Sequence, residues 1–309
     1  MGGSASYRYG KKIREAQANG ASEQEIAELE RKRQEALNAE RQKRQKAEQP
    51  QQSKENSFRN TINNAQSKEE LLTALQSKYG SENVARGFVE NHDLEMTKRA
   101  LGTILELEER YPFMKGVISG FHNVVDPTVV LNPNGSISAQ TKTDFDAETG
   151  EVRHTLGLGA AYATKDNPIL YSGSERGKDI PNMTPEAVIA HEFGHAIHNY
   201  LMGRMLQDAK KRGLFDTLMA VDDIKKSTTL QRLEKEAKKS IGYKKALPFF
   251  RGEISKYASN AKLYGGNPTK ESFAEAFADV FANGDNASAV SKAYVNTLLN
   301  EINRMGYGG

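Results

Sequence analysis

There is no cysteine among the 309 residues. A disulfide framework, a thiolate zinc site and a cysteine nucleophile are therefore excluded, and any metal must be held by His and carboxylate ligands. Long hydrophobic runs are missing too: no window approaches the roughly eighteen consecutive apolar residues of a membrane span, and residues 1–10 carry no apolar core of a secretory signal. Neither a membrane helix nor a signal peptide is expected. Charge of one sign is not in excess, since 43 Lys and Arg stand against 40 Asp and Glu, and this balance does not point to a nucleic-acid partner. What is present is a chain with 37% apolar residues, enough to fill the core of one large domain or two modest ones.

Residues 1–57 read as a charged helical arm. Ser22-Glu23-Gln24-Glu25 is a capping box, in which Ser and Glu can satisfy each other's free amides at a helix start. Glu28 with Lys32 and Glu40 with Arg44 make favourable i,i+4 pairs, while Ile26, Leu29 and Leu37 form too thin a stripe to bury alone. Pro50 is expected to end this helix.

From residue 58 the composition becomes globular, and 58–309 reads as one domain. Its helical lead-in, 58–112, has a second capping box at Ser67 and Glu70, a stop at Gly80, and helical runs near 82–90 and 93–110 before Pro112. Over 113–171 the period shifts toward strands: Val117-Ile118, 129–131, an Asn134-Gly135 turn, then 136–145 and 151–163 around the turn-like 146–150. A small, mostly antiparallel sheet is expected, and an α+β fold. Thr184 then caps a helix with Pro185 at its first position, running to about Gly203. Charged helices with loops fill 204–247, and a last strong helix spans about Lys270 to Asn283-Gly284. The catalytic core is predicted over 184–284.

The chemistry concentrates in His191-Glu192-Phe193-Gly194-His195. On a helix, His191 and His195 project from one face a turn apart, close enough to bind one cation through imidazole nitrogens. Glu192 points too far round to share the metal but can reach a water on it and act as general base. Gly194 leaves backbone bare for another segment to approach. A catalytic Zn2+ needs a third protein ligand, and stepping 100° per residue along the last helix places Glu271, Glu275, Ala278 and Ala282 on one face. Two registers fit: Glu271 as ligand with Glu275 hydrogen-bonding a ligand histidine, or Glu275 as ligand with Asp279 behind it. A third-histidine site is excluded, because position 198 is His where glycine is required and position 201 is Leu. His198 is read as a hydrogen-bonding group on the helix face.

These residues, His191-Glu192-Phe193-Gly194-His195-Ala196, then Tyr264 seven residues before Glu271, then Phe273-Ala274-Glu275-Ala276-Phe277, resemble the catalytic domain of anthrax lethal factor and related gluzincin metallopeptidases. Similar domains occur in phage Mu-type minor head proteins and associated toxins. The resemblance covers roughly 185–284. It implies a zincin-like fold in which a small sheet packs on the His-bearing helix and a C-terminal Glu-bearing helix. It also implies Zn2+ held by His191, His195 and Glu271, with Glu192 as base, Glu275 supporting a ligand histidine, and a tyrosine near the metal to stabilise the oxyanion. Tyr264 has the family spacing, while Tyr257 has matching flanks in Ile254-Ser255-Lys256-Tyr257-Ala258.

The stretch 204–247 has no counterpart in the family pattern. The implied activity is endopeptidase cleavage of a protein or peptide, with the substrate extended against a sheet edge for which 155–163, bearing Gly157, Gly159 and Ala160, is the candidate. The implied setting is phage-associated, in the virion or host cytoplasm, as maturation protease, virion passenger or effector toxin. The N-terminal arm would be free to meet head or portal proteins. The alternative is a structural minor head protein whose zincin fold has incidental or lost catalysis.

Overall fold

A computed structural model describes residues 5–124, 139–146, 151–159, 162, 184–211, 213, 228–264 and 266–307. The chain divides into two compact units, Met1–Asn60 and Thr61–Gly309. The first consists of α1 (Ala5–Ala18) and most of α2 (Glu23–Asn64). The capping box forms as expected: the Ser22 amide donates to Glu25 Oε2 at 2.9 Å and the Glu25 amide to Ser22 Oγ at 3.3 Å. Pro50 does not end the helix, which continues through it to Asn64. A proline removes one helical hydrogen bond, but the Gln-, Glu-, Lys- and Arg-rich turns on either side are strong helix formers and carry the helix past it.

The second unit is mostly helical with a small mixed sheet. α3 (Lys68–Tyr79) starts where Ser67 Oγ accepts the Glu70 amide and stops at Gly80, whose φ of 90° suits glycine. The short α4 (Gly87–Glu90) and α5 (Leu94–Arg110) follow, the latter capped by Asp93. Three strands, β1 (Ile118–Phe121), β2 (Ala139–Phe145) and β3 (Val152–Leu158), form a sheet of order β1-β3-β2.

β2 and β3 are antiparallel over seven residue pairs, from Ala139 opposite Leu158 to Phe145 opposite Val152. β1 and β3 are parallel over three pairs, so the sheet is mixed, with the antiparallel pairing the longer. The short 146–151 connection obliges β3 to fold back on β2. The expected strand at 129–131 and the Asn134-Gly135 turn lie outside the described residues. The expectation of a free edge at 155–163 fails where it can be seen: β3 is central, paired on both sides. Its Gly157 makes room for His122 and Val124, whose atoms would lie 2.6 and 2.7 Å from an added Cβ. Ala160 lies outside the described residues. The described sheet edge nearest the His-bearing helix is β2, which packs across it.

That helix, α6 (Pro185–Lys211), begins where Thr184 Oγ1 accepts the Ala187 amide. It overruns the expected end at Gly203 by two turns, since Gly203 and Leu206 are buried and 204–211 are good helix formers. Next come α7 (Thr228–Ser240), α8 (Leu247–Gly252), α9 (Lys256–Asn260) and α10 (Pro268–Asn283), with Asn267 Oδ1 accepting the Thr269 and Lys270 amides at the head of α10. Beyond the last helix expected lies another, α11 (Ala289–Arg304), with Val290, Tyr294, Val295, Leu298 and Ile302 buried at helical spacing. The core is centred on α6 against α10, with α5 and β2 also on α6, and α7 and α11 on α10. Phe193, Phe273 and Phe277 are buried there, each contributing roughly 1.5–3 kcal/mol by transfer from water. No helix among the described residues is long and apolar enough to cross a membrane.

Candidate metal centre

α6 and α10 approach closely because Gly194 has no side chain. A Cβ there would lie 2.9 Å from Ala274 Cα and 3.3 Å from Phe277 Cβ, both on the facing surface of α10. Backbone cannot yield as a side-chain tip can, so the glycine is a condition of the packing. This contact brings Glu271, on the first turn of α10, to the two histidines of α6.

Glu271 Oε2 lies 3.3 Å from His191 Nε2 and 3.5 Å from His195 Nε2. One ligand atom from each of the three residues lies within 4.8 Å of the others, so the group could hold a metal ion. Ligands placed tetrahedrally about 2.0–2.1 Å from Zn2+ would be about 3.3 Å apart, and two imidazoles with one carboxylate are a donor set zinc accepts. All three side chains keep 15–20% exposure, which leaves a path for solvent.

Behind them, Glu275 Oε1 accepts from or shares a proton with His191 Nδ1 at 2.8 Å, and Glu275 is only 2% exposed. The contact leaves Nε2 of His191 aimed at the metal group, the way carboxylates commonly fix a ligand imidazole's tautomer. Of the two registers, the structure thus groups Glu271 with the histidines and puts Glu275 behind one of them. Asp279 serves elsewhere, accepting from Asn283 Nδ2 at 2.7 Å and the Ser288 amide at 3.1 Å.

The electrostatics are strongly coupled. Burial works to lower the pKa of His191, but the Glu271 and Glu275 carboxylates overcome it and hold the pKa well above its ordinary value. Burial likewise works to raise Glu271, and His191 and His195 overcome it, holding the carboxyl well below the usual range. Gly266 leaves room for this carboxylate's stem, since a Cβ there would sit 3.0 Å from Glu271 Cγ.

Glu192 is buried and tied to the sheet edge twice: the Thr141 amide donates to its Oε2 at 2.6 Å, and Thr141 Oγ1 donates to its backbone carbonyl at 3.2 Å. Asn199 adds a further link between α6 and β2 through Thr143 Oγ1 at 2.8 Å. Thr141 carries no chemical mark in sequence; it is one polar residue in an alternating strand, and only the packing of β2 across α6 reveals it.

Tyr257 comes beside the group, its ring centroid 6.4 Å from that of His191. The Tyr264 backbone ends a 3-10 turn (Ala261–Tyr264), and its side chain lies outside the described residues. His198 does not hydrogen-bond on the helix face as expected. It is 1% exposed, and among the described residues neither ring nitrogen has a partner, a condition shared by His154 on β3. No protein-family model, curated protein or solved structure matches the chain.

Proposed function

We propose that the chain is a zinc-dependent endopeptidase of the gluzincin type, with a zincin-like arrangement of α6, α10 and the sheet. The observation that carries this reading is the convergence of His191, His195 and Glu271 on one point, with a carboxylate, Glu192, on the next position of the same helix. A purely structural metal site has no use for that base.

Zn2+ bound there supplies Lewis acidity to the scissile carbonyl and to the attacking water. Glu192 takes the water's proton and returns it to the leaving amine. The Thr141 amide holds one oxygen of Glu192, leaving the other for that transfer. Glu275 keeps the His191 tautomer required of a ligand. The Tyr257 phenol, on a ring beside that of His191, would serve as donor to a developing oxyanion, with Tyr264 the competing candidate by family spacing. A substrate strand would lie along β2, the described sheet edge beside Glu192. The resemblance to Mu-type minor head proteins and associated toxins supports a phage-associated role, in head maturation, in the virion or as an effector.

The test is metal content together with cleavage of casein and of a broad peptide library by wild type and Glu192→Gln. The expected result is about one Zn2+ per chain in both, with hydrolysis reduced roughly 10²–10⁴-fold in the variant. Bound zinc with no wild-type cleavage would instead favour a structural head protein.

A further inference from the structure

The stretch 204–247, which has no counterpart in the family pattern, contributes Glu234 to an ion pair with Arg251, just beyond it, on the other side of α10. Glu234 of α7 is fully buried, and Arg251 of α8 grips it through two hydrogen bonds, Nε to Oε1 at 2.6 Å and Nη2 to Oε2 at 2.7 Å. The pair then reaches α10 at two residues flanking Glu271. Arg251 Nη2 donates to Thr269 Oγ1 at 3.1 Å, and Ser272 Oγ donates to Glu234 Oε1 at 3.3 Å. Arg251 also leads toward Tyr257: its carbonyl accepts the Ser255 amide at 3.0 Å, and Ser255 Oγ accepts the Ala258 amide at 2.8 Å, capping α9.

We propose that Glu234 and Arg251 are positioning residues, which set the rotation of α10 and the placement of α9 so that Glu271 and Tyr257 meet His191. The inference rests on the reading of His191, His195 and Glu271 as a metal centre.

Two physical considerations favour positioning over mere stability. A buried ion pair is an inefficient stabiliser, because desolvation of both charges cancels much of their attraction and well-packed apolar residues often do as well. Its distinctive property is direction: the planar guanidinium fork fixes angles as well as distances. Direction matters here because a helical side chain ends some 5–6 Å from its axis. A rotation of about 20° would therefore carry the Glu271 carboxylate about 2 Å, and metal–ligand distances tolerate only about 0.2 Å. Apolar packing of Phe273 and Phe277 resists separation of the helices but does not define rotation as sharply.

The experiment measures Zn2+ affinity of the full-length chain by competition with a chromophoric chelator, well below the unfolding midpoint, in wild type, E234L/R251M and T269V/S272A. The apolar double variant is expected to keep a near-wild-type midpoint yet bind Zn2+ at least about tenfold more weakly. Wild-type affinity in a folded E234L/R251M chain would overturn the proposal. Should that variant not fold, T269V/S272A leaves the ion pair in place and cuts both its contacts to α10. Weaker Zn2+ binding there supports the proposal, and unchanged binding overturns it. A wild-type chain that takes up no Zn2+ fails at the metal centre itself, and the pair then has nothing to position; wild-type uptake with unaltered variants fails at the pair alone.

Discussion

His191 shows how one side chain of the candidate metal group is held. Its Nδ1 faces Glu275 and its Nε2 faces Glu271, so the carboxylate behind orients the ring for the carboxylate in front. Glu275→Gln keeps the volume and weakens the charge-assisted hydrogen bond; Zn2+ affinity should fall about 10–100-fold, read by chelator competition. His154 gives a prediction of a different kind. Burial pushes its pKa down to about 4, with the Val117 backbone and Asp144 opposing. The unfolded chain, with an ordinary value near 6.5, takes up the proton first, so stability is fully present above about pH 6.5 and declines as pH falls toward 4. His198 shifts in the same direction, through burial and then the neighbouring Lys270, His195 and His154. Substituting His154→Leu should shrink the stability lost between pH 7 and 4.5 by about 1–3 kcal/mol. Urea midpoints at the two pH values test this, and an unchanged difference would count against a neutral buried His154.

Among the elements, α6 and α10 decide the geometry of the centre, and their contact turns on Gly194. Gly194→Ala places a methyl 2.9 Å from Ala274 Cα and should cost about 1–3 kcal/mol through forced separation of the helices. The same displacement draws Glu271 away from the histidines. The variant should therefore lose Zn2+ affinity by a larger factor than a surface Gly→Ala change of equal stability cost, a comparison that thermal unfolding and metal titration make together. Both helices were legible in sequence from their ends and apolar runs: Thr184 and Pro185 open one, and the Phe273 and Phe277 run with the Asn283-Gly284 stop marks the other, whose Asn267 cap came only with the structure. α11 was equally periodic yet lies past the obvious stop at Asn283-Gly284, and α2 runs through the proline that should have closed it. Strand direction was not legible, since a run of alternating residues carries no information on whether its neighbour runs parallel.

Across the whole molecule, every member of the metal group belongs to the unit Thr61–Gly309. A chain lacking residues 1–60 should accordingly unfold in one cooperative transition and bind Zn2+ with the affinity of the full chain; a loss of binding would tie the arm to the centre. Metal removal should register as stability, because an ion that binds only the folded state stabilises it by mass action. With Zn2+ at about 100 times its dissociation constant the gain should be about 2.7 kcal/mol, reversed by chelator. A midpoint indifferent to Zn2+ would mean that the three side chains do not act together on an ion.

What the amino-acid sequence determined by itself is local. Two imidazoles four residues apart on a capped helix share a face whatever surrounds them, and carboxylates four apart on a second helix do the same, because 3.6 residues per turn is a property of the backbone. Which carboxylate meets the imidazoles was left open between Glu271 and Glu275, since periodicity fixes a face but not how far one helix slides or turns against another. That choice came only with tertiary packing: the bare backbone of Gly194 against Ala274 sets the approach of α6 and α10, and long-range contacts such as Thr141 to Glu192 and Arg251 to Glu234 join residues that no local period relates.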